Sequence, residues 1–242
     1  LNRKAIGWAA VPPTQPLKLS TVLVSMKEQS LENRPLFVRL TVIFALLVAV
    51  NSLLGLGGGA GIALSLGVSL LLQVIYIGMV SAMVDRSGPA SSAGELWAVV
   101  RPVLATAVWT ALVFFLSVLI GSLLIVLGLV VATIWFVAIQ AVVVERLSVF
   151  ESLRRSQELV RGNFWRVFGV MLCVILFSLG AVLLASLISS PLGTGAAGVA
   201  VTSFLIALVV YPFNALAPAC SYQLLVAGRA EEPAGDPGPP EA

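Results

Sequence analysis

The chain has 242 residues and few groups that do chemistry: no histidine, two cysteines, eleven carboxylates and fourteen Lys or Arg. Without imidazole, histidine acid–base catalysis, histidine ligation of haem and His/Cys zinc sites are excluded for this chain. Cys173 and Cys220 stand apart within apolar runs, where a thiol stays protonated and inert. Ser and Thr are frequent, but no motif sets a base beside any of them, so no nucleophile is expected. The glycines at 55, 57, 58, 59 and 61 have no strand before them and no Lys after them. They therefore lack the context of a phosphate-binding loop and are expected to form a tight reversal. The expectation is a non-catalytic chain without metal or cofactor.

Two sets of polar residues remain as candidates for binding. Asn51, Gln73, Gln140 and Asn214 are amides inside long apolar stretches. Such amides either join helices, at about 0.6–2 kcal/mol each, or line a polar pathway through them. Pro212 and Pro218 flank Asn214, and a proline inside a membrane helix frees carbonyls of the kind used at binding sites. Arg154, Arg155, Arg161 and Arg166 form the second set, suited to anionic lipid headgroups at about 1 kcal/mol per charge.

The elements that position these residues follow from composition. Hydrophobic residues make up 59% of the chain and charged residues 10%, against roughly 45–50% and about 25% in soluble domains. The fold class expected is an all-α integral membrane protein. Leu36–Gly55, Ile62–Val84, Val167–Ser189 and Gly198 to about Ala219 each supply the ~20 apolar residues that a membrane crossing needs. Pro102–Val144 carries no charge and would measure about 64 Å as one helix at ~1.5 Å per residue, so it is expected to reverse near Gly121-Ser122 or Gly128. That makes six transmembrane helices. All eleven acidic and thirteen of the fourteen basic residues fall before the first helix, after the second, after the fourth and in the tail, and the remaining one, Arg39, sits one turn inside the first helix, from where it snorkels to the interface. Six crossings put every charge on one side, which the retention of Lys and Arg makes cytoplasmic, with both termini there.

Two amphipathic helices are expected at that interface. Ser148 and Glu151 have capping-box spacing. From there Phe150, Leu153, Gln157 and Val160 share one face, with Glu151/Arg155 and Arg154/Glu158 as ion pairs four residues apart and a stop at Gly162. The other helix spans Leu19–Asn33, with Leu19, Val22, Leu23, Met26 and Ser30 on one face and Pro35 opening the first crossing. The resulting organisation is a cytoplasmic segment over 1–35, a membrane domain over 36–228 with its interfacial helix at 148–162, and a disordered tail over 229–242. Leu1–Ser20 lacks the apolar run of a cleavable leader, so the first crossing is expected to anchor the chain.

Glu145 through Arg166, reading Glu145-Arg146-Leu147-Ser148-Val149-Phe150-Glu151-Ser152-Leu153-Arg154-Arg155-Ser156 and on to Arg161-Gly162-Asn163-Phe164-Trp165-Arg166, resembles the membrane domain of bacterial glycerophosphoryl diester phosphodiesterases and related stand-alone membrane proteins. Pro16–Asn33 resembles that family's N-terminal interfacial helix, and Tyr211-Pro212-Phe213 with Tyr222 its last crossing; Gln157 replaces a frequent aromatic, and a Pro-Gly near Leu127-Gly128 is absent. The resemblance implies a six-helix membrane domain of the bacterial inner membrane. It implies no hydrolase activity, because in that family phosphodiester hydrolysis belongs to a separate barrel with histidines. The function expected is a scaffold or accessory subunit, with anionic lipids and a membrane-protein partner or second copy as partners and no nucleic acid. The alternative is a carrier or lipid-handling protein built around the four amides.

Overall fold

A computed structural model describes residues 19–86, 92–121 and 125–230. Among them all regular secondary structure is helical, with ten α-helices: α1 (Leu19–Glu32), α2 (Arg34–Ser52), α3 (Gly58–Val84), α4 (Ala93–Val100), α5 (Leu104–Gly121), α6 (Ile125–Ile134), α7 (Ala138–Glu145), α8 (Val149–Arg161), α9 (Phe164–Ser189) and α10 (Ala196–Ala230). Five stretches are long and apolar enough to cross a membrane: Arg34–Val84, Ala93–Val118, Gly128–Glu145, Phe164–Leu192 and Ala196–Gly228. This is the architecture of a multi-pass membrane protein.

The longest stretch is not one rod. α2 ends in a 3₁₀ turn over Leu53–Gly57, and Gly58 follows at φ 78°, a left-handed angle that glycine adopts without strain. A Cβ at Gly61 would run into the Leu54 carbonyl. The chain therefore doubles back where the glycines are clustered, and α2 packs along α3. Asn51 clamps the turn end of this pair, its Nδ2 donating to the Ser65 carbonyl at 2.9 Å and to Ser69 Oγ at 2.7 Å. Further along, the Thr41 and Tyr76 hydroxyls lie 2.8 Å apart. α5 and α6 also pack on each other. α5 ends at Gly121 as expected, while Ser122, the other half of the expected break, lies outside the described residues.

Three features depart from the sequence reading. The connection after α3 contains a further helix, α4, capped by Ser92 Oγ accepting the Glu95 N–H at 3.3 Å and with Leu96 and Val100 fully buried. The stretch Gly128–Glu145 is broken in the middle, between Ile134 and Ala138. α10 runs on beyond Ala219 through Pro212 and Pro218 to Ala230, so Arg229 and Ala230 belong to a helix rather than to a tail. Residues 231–242 lie outside the described residues.

The capping box of α8 forms, with the Ser148 N–H and hydroxyl donating to the Glu151 carboxylate at 3.0 and 2.7 Å. These bonds stabilise the charged form and hold the Glu151 carboxyl below its ordinary range. The face that α8 buries against the protein takes only Leu153 and Val160 of that apolar stripe. Ser152, Leu153, Ser156, Leu159 and Val160 turn inward onto protein, whereas Phe150 is 80% exposed and Gln157 is exposed as well. The two serines have little bulk, so α8 seats closely against α5, α6 and α7, and the large Phe150 is left outside. In α1 likewise only Val22 and Met26 are buried, while Leu19 and Leu23 are exposed.

The core gathers at the charged end of the bundle. It joins Val74, Tyr76, Val80 and Met83 of α3, Leu96 and Val100 of α4, Ala141 and Val142 of α7, and Ala215, Cys220 and Tyr222 of α10. At the uncharged hairpin end, Leu64, Leu66, Leu183 and Leu187 are exposed.

Candidate functional site

The break between α6 and α7 opens the site. Thr133-Ile134-Trp135-Phe136-Val137 is β-branched and aromatic throughout, residue types that crowd the preceding helical turn. Around it the backbone tightens: the Phe136 N–H donates to the Thr133 carbonyl at 3.3 Å, and the Ala138 N–H to the Trp135 carbonyl at 3.1 Å. Ala138 would otherwise serve the Ile134 carbonyl. Instead the Ser156 hydroxyl of α8 donates to that carbonyl at 2.7 Å. The inward serine face of α8 thus completes the break, as buried backbone polar groups require.

Beside the break lies a cavity of about 290 Å³, walled by α3, α5, α6, α7, α9 and α10. Three of the four candidate amides line it: Gln73 from α3, Gln140 from α7 and Asn214 from α10. Trp135 and Phe136 of the break and Phe114 and Phe115 of α5 supply aromatic walls, and Pro218 of α10 closes another side. Pro218 has no N–H, so the carbonyl of Asn214 four residues earlier loses its helical donor at the wall. Pro212, the other proline beside Asn214, is not among the lining residues.

The amides differ in how they are satisfied. Asn214 Oδ1 accepts a 3.3 Å hydrogen bond from the Ser178 hydroxyl, tying α10 to α9. Gln140 is only 2% exposed, and its Oε1 has no hydrogen-bond partner. Among the described residues no ionisable side chain lines the cavity. Such walls can hold an apolar body and orient a neutral polar group, the usual chemistry of a small-molecule pocket. Asn51 does not belong here, because its hydrogen bonds lie within the α2–α3 pair.

The four arginines do not act alike. Arg155 Nε reaches back to Glu145 Oε1 at 3.1 Å rather than to Glu151, whose carboxylate is taken by its cap. The Tyr222 hydroxyl donates to the same Glu145 oxygen at 2.5 Å. α7, α8 and α10 are therefore locked together at Glu145, and one residue on, the Gln223 amide of α10 donates to the Val84 carbonyl ending α3. This lock escaped the sequence reading because its members are far apart along the chain. Arg154 pairs with Glu158 at 3.0 Å as expected, and Arg166 donates to Asn163 Oδ1 at 3.2 Å. Arg154, Arg161 and Arg166 are exposed, as are Phe150 at 80% and Trp165 at 78%. Three of the arginines therefore stand in company with exposed aromatics, and the fourth is structural.

Comparison with known proteins finds no matching protein family, no matching curated protein and no matching solved structure.

Proposed function

We propose that this multi-pass protein binds an apolar ligand within the membrane, as a carrier or lipid-handling protein rather than a catalyst. The observation that carries the reading is the convergence of Gln73, Gln140 and Asn214, from three helices distant in sequence, on one apolar cavity beside a helix break and a proline. Broken membrane helices are retained where they line a cavity, because elsewhere the loose backbone groups would go unsatisfied. A scaffold or accessory subunit needs no such cavity, so this feature favours the carrier over the scaffold.

In this reading the chain crosses the bilayer six times, as α2, α3, α5, α6–α7, α9 and α10, with α4 in the charged connection before α5. The doubling back of Arg34–Val84 at Gly58 supports six crossings, and so does the confinement of all charge to alternate connections and the helix ends beside them. The charged face and both termini are cytoplasmic, in a bacterial inner membrane. α1 and α8 lie at that interface, where the exposed Phe150 and Trp165 sit at headgroup level and Arg154, Arg161 and Arg166 meet anionic lipid.

Thermal unfolding of the purified protein in detergent tests the binding reading. A ligand present at about 100 times its Kd stabilises the folded state by about 2.7 kcal/mol. The expected result is that long-chain amphiphiles raise the midpoint of the wild type, while Ala132→Phe, which fills the cavity from α6, abolishes the shift. Equal shifts in both proteins would contradict a ligand in this cavity.

A further inference from the structure

We infer that the cavity opens sideways, between α5 and α9, into the middle of the bilayer, and takes an uncharged chain-like lipid directly from the hydrocarbon. This inference rests on the proposed function and adds the route of entry and the form of the ligand.

The mouth is located by exposure and depth. Of the described residues lining the cavity, only Phe115 of α5 and Ile175 of α9 are exposed, at 59% and 43%. α5 and α9 each pack more closely on α6 than on one another. Both helices start at the charged end of the bundle, α5 just after Arg101 and α9 with Arg166 in its first turn. Phe115 is the eleventh residue after Leu104, and Ile175 the eleventh after Phe164, so at ~1.5 Å per residue each stands about 16 Å along its helix. That is close to half of the ~30 Å hydrocarbon core. Two residues from separate helices thus stand at one depth, where the bilayer offers chain ends and neither headgroups nor water.

The way to water at the charged end is shut. On α3, α7 and α10 the lining stops at Ile77, Gln140 and Pro218. Towards the charged end the same helices continue with Val80, Met83, Val142, Cys220 and Tyr222, all buried. Beyond them the Tyr222 hydroxyl and Arg155 hold Glu145.

The lining sets the form of the ligand. None of the described lining residues is ionisable, so a charged group brought in would lie without counter-ion or water. Asn214 Oδ1 is taken by Ser178, and Gln140 is enclosed by protein. Apart from the amides, the lining side chains are aliphatic, aromatic or thioether. A phospholipid keeps its head at the interface and brings only the last carbons of a chain to this depth. An uncharged lipid free among the chain ends has no such tether and enters from the side.

Tryptophan fluorescence tests both parts, because bromine quenches it only at close range and Trp135 lines the cavity. The full-length protein with Trp8, Trp97, Trp109 and Trp165 replaced by Phe is reconstituted in three kinds of phosphatidylcholine vesicle. One lipid carries bromine near the chain ends, one carries it near the headgroup, and one is unbrominated but loaded with dibrominated hexadecane at equal bromine content. Chain-end bromine should quench Trp135 about twice as strongly as headgroup-proximal bromine, as a mid-plane mouth requires. Dibrominated hexadecane should quench most, and iodide added to the water little. Ala132→Phe should abolish the quenching by dibrominated hexadecane; Ala111→Phe, which fills the cavity from α5, replaces it if it does not fold. If the protein with Trp135 alone does not fold, the difference between the wild type and Trp135→Phe supplies the same signal. Equal quenching by the chain-end phospholipid and the alkane overturns the uncharged ligand and assigns the mouth to phospholipid chains. Quenching by iodide in place of bromine overturns lateral entry and leaves a cavity filled from water, with the proposed function intact. Quenching that the filled variants do not change, or none from any probe, overturns the mouth. The proposed function then still rests on the thermal shift, where it fails separately if wild type and Ala132→Phe respond alike.

Discussion

Gln140 carries an acceptor that is buried and unbonded, a state that costs about 1–3 kcal/mol. Replacing such a group with an apolar side chain of similar size removes the penalty. Gln140→Leu is therefore expected to raise the unliganded protein's stability by about 1 kcal/mol, read as a higher unfolding midpoint in detergent; a fall would mean that Gln140 serves packing. Glu151 gives a pH signature of the opposite kind. Its carboxyl is held below its ordinary range by Ser148, so its contribution is complete above the ordinary carboxylate value and is lost as pH falls through the lowered one. The stability difference between the wild type and Glu151→Ala should thus shrink below about pH 4; a difference that grew with acid would contradict the cap. At this scale the sequence showed which residues were unusual, since amides in apolar runs stand out. It did not separate Asn51, which clamps α2 to α3, from Gln140, which lines the cavity, because the distinction depends on which helix lies opposite.

Helices with local signals were legible, and those shaped by their neighbours were not. The Ser-x-x-Glu spacing located the start of α8, and the same spacing at Ser92 and Glu95 marks α4, although the uncharged run beginning at Pro102 is the stronger pattern there. The gap between α6 and α7 has neither Gly nor Pro to announce it. It depends on a hydroxyl from another helix, Ser156, bonding the Ile134 carbonyl. Ser156→Ala leaves that carbonyl without a donor and is expected to cost about 1–3 kcal/mol. Ser156→Thr, which keeps the hydroxyl, should recover part of the loss in the same unfolding measurement. If Ser156→Ala unfolds like the wild type, the bond does not support the break. The seating of α8 has a comparable cause: the stripe of Phe150, Leu153, Gln157 and Val160 was legible, whereas the burial of Ser152 and Ser156 depends on the close approach of α5, α6 and α7.

At the level of the whole molecule, the sparse charge was the most readable feature, because membrane insertion sorts charges by side whatever the packing. The packing itself was hidden. A core concentrated at the charged end, tied by Glu145 to Arg155 and Tyr222, and a cavity assembled from six helices are products of tertiary contact that no local pattern encodes. Six crossings predict that single cysteines introduced at Lys27 and Gly228 react with a membrane-impermeant maleimide from the cytoplasmic side, and one at Gly195 from the other. Labelling of Lys27→Cys and Gly228→Cys from opposite sides would break the topology. The proposed function requires that the cavity be filled in the cell. The most direct measurement is native mass spectrometry of the protein extracted from its own membrane in mild detergent, compared with Ala132→Phe prepared in the same way. The wild type should retain an uncharged lipid-like adduct that withstands delipidation and is absent from the filled variant; identical adducts on both proteins, or none on either, would contradict it.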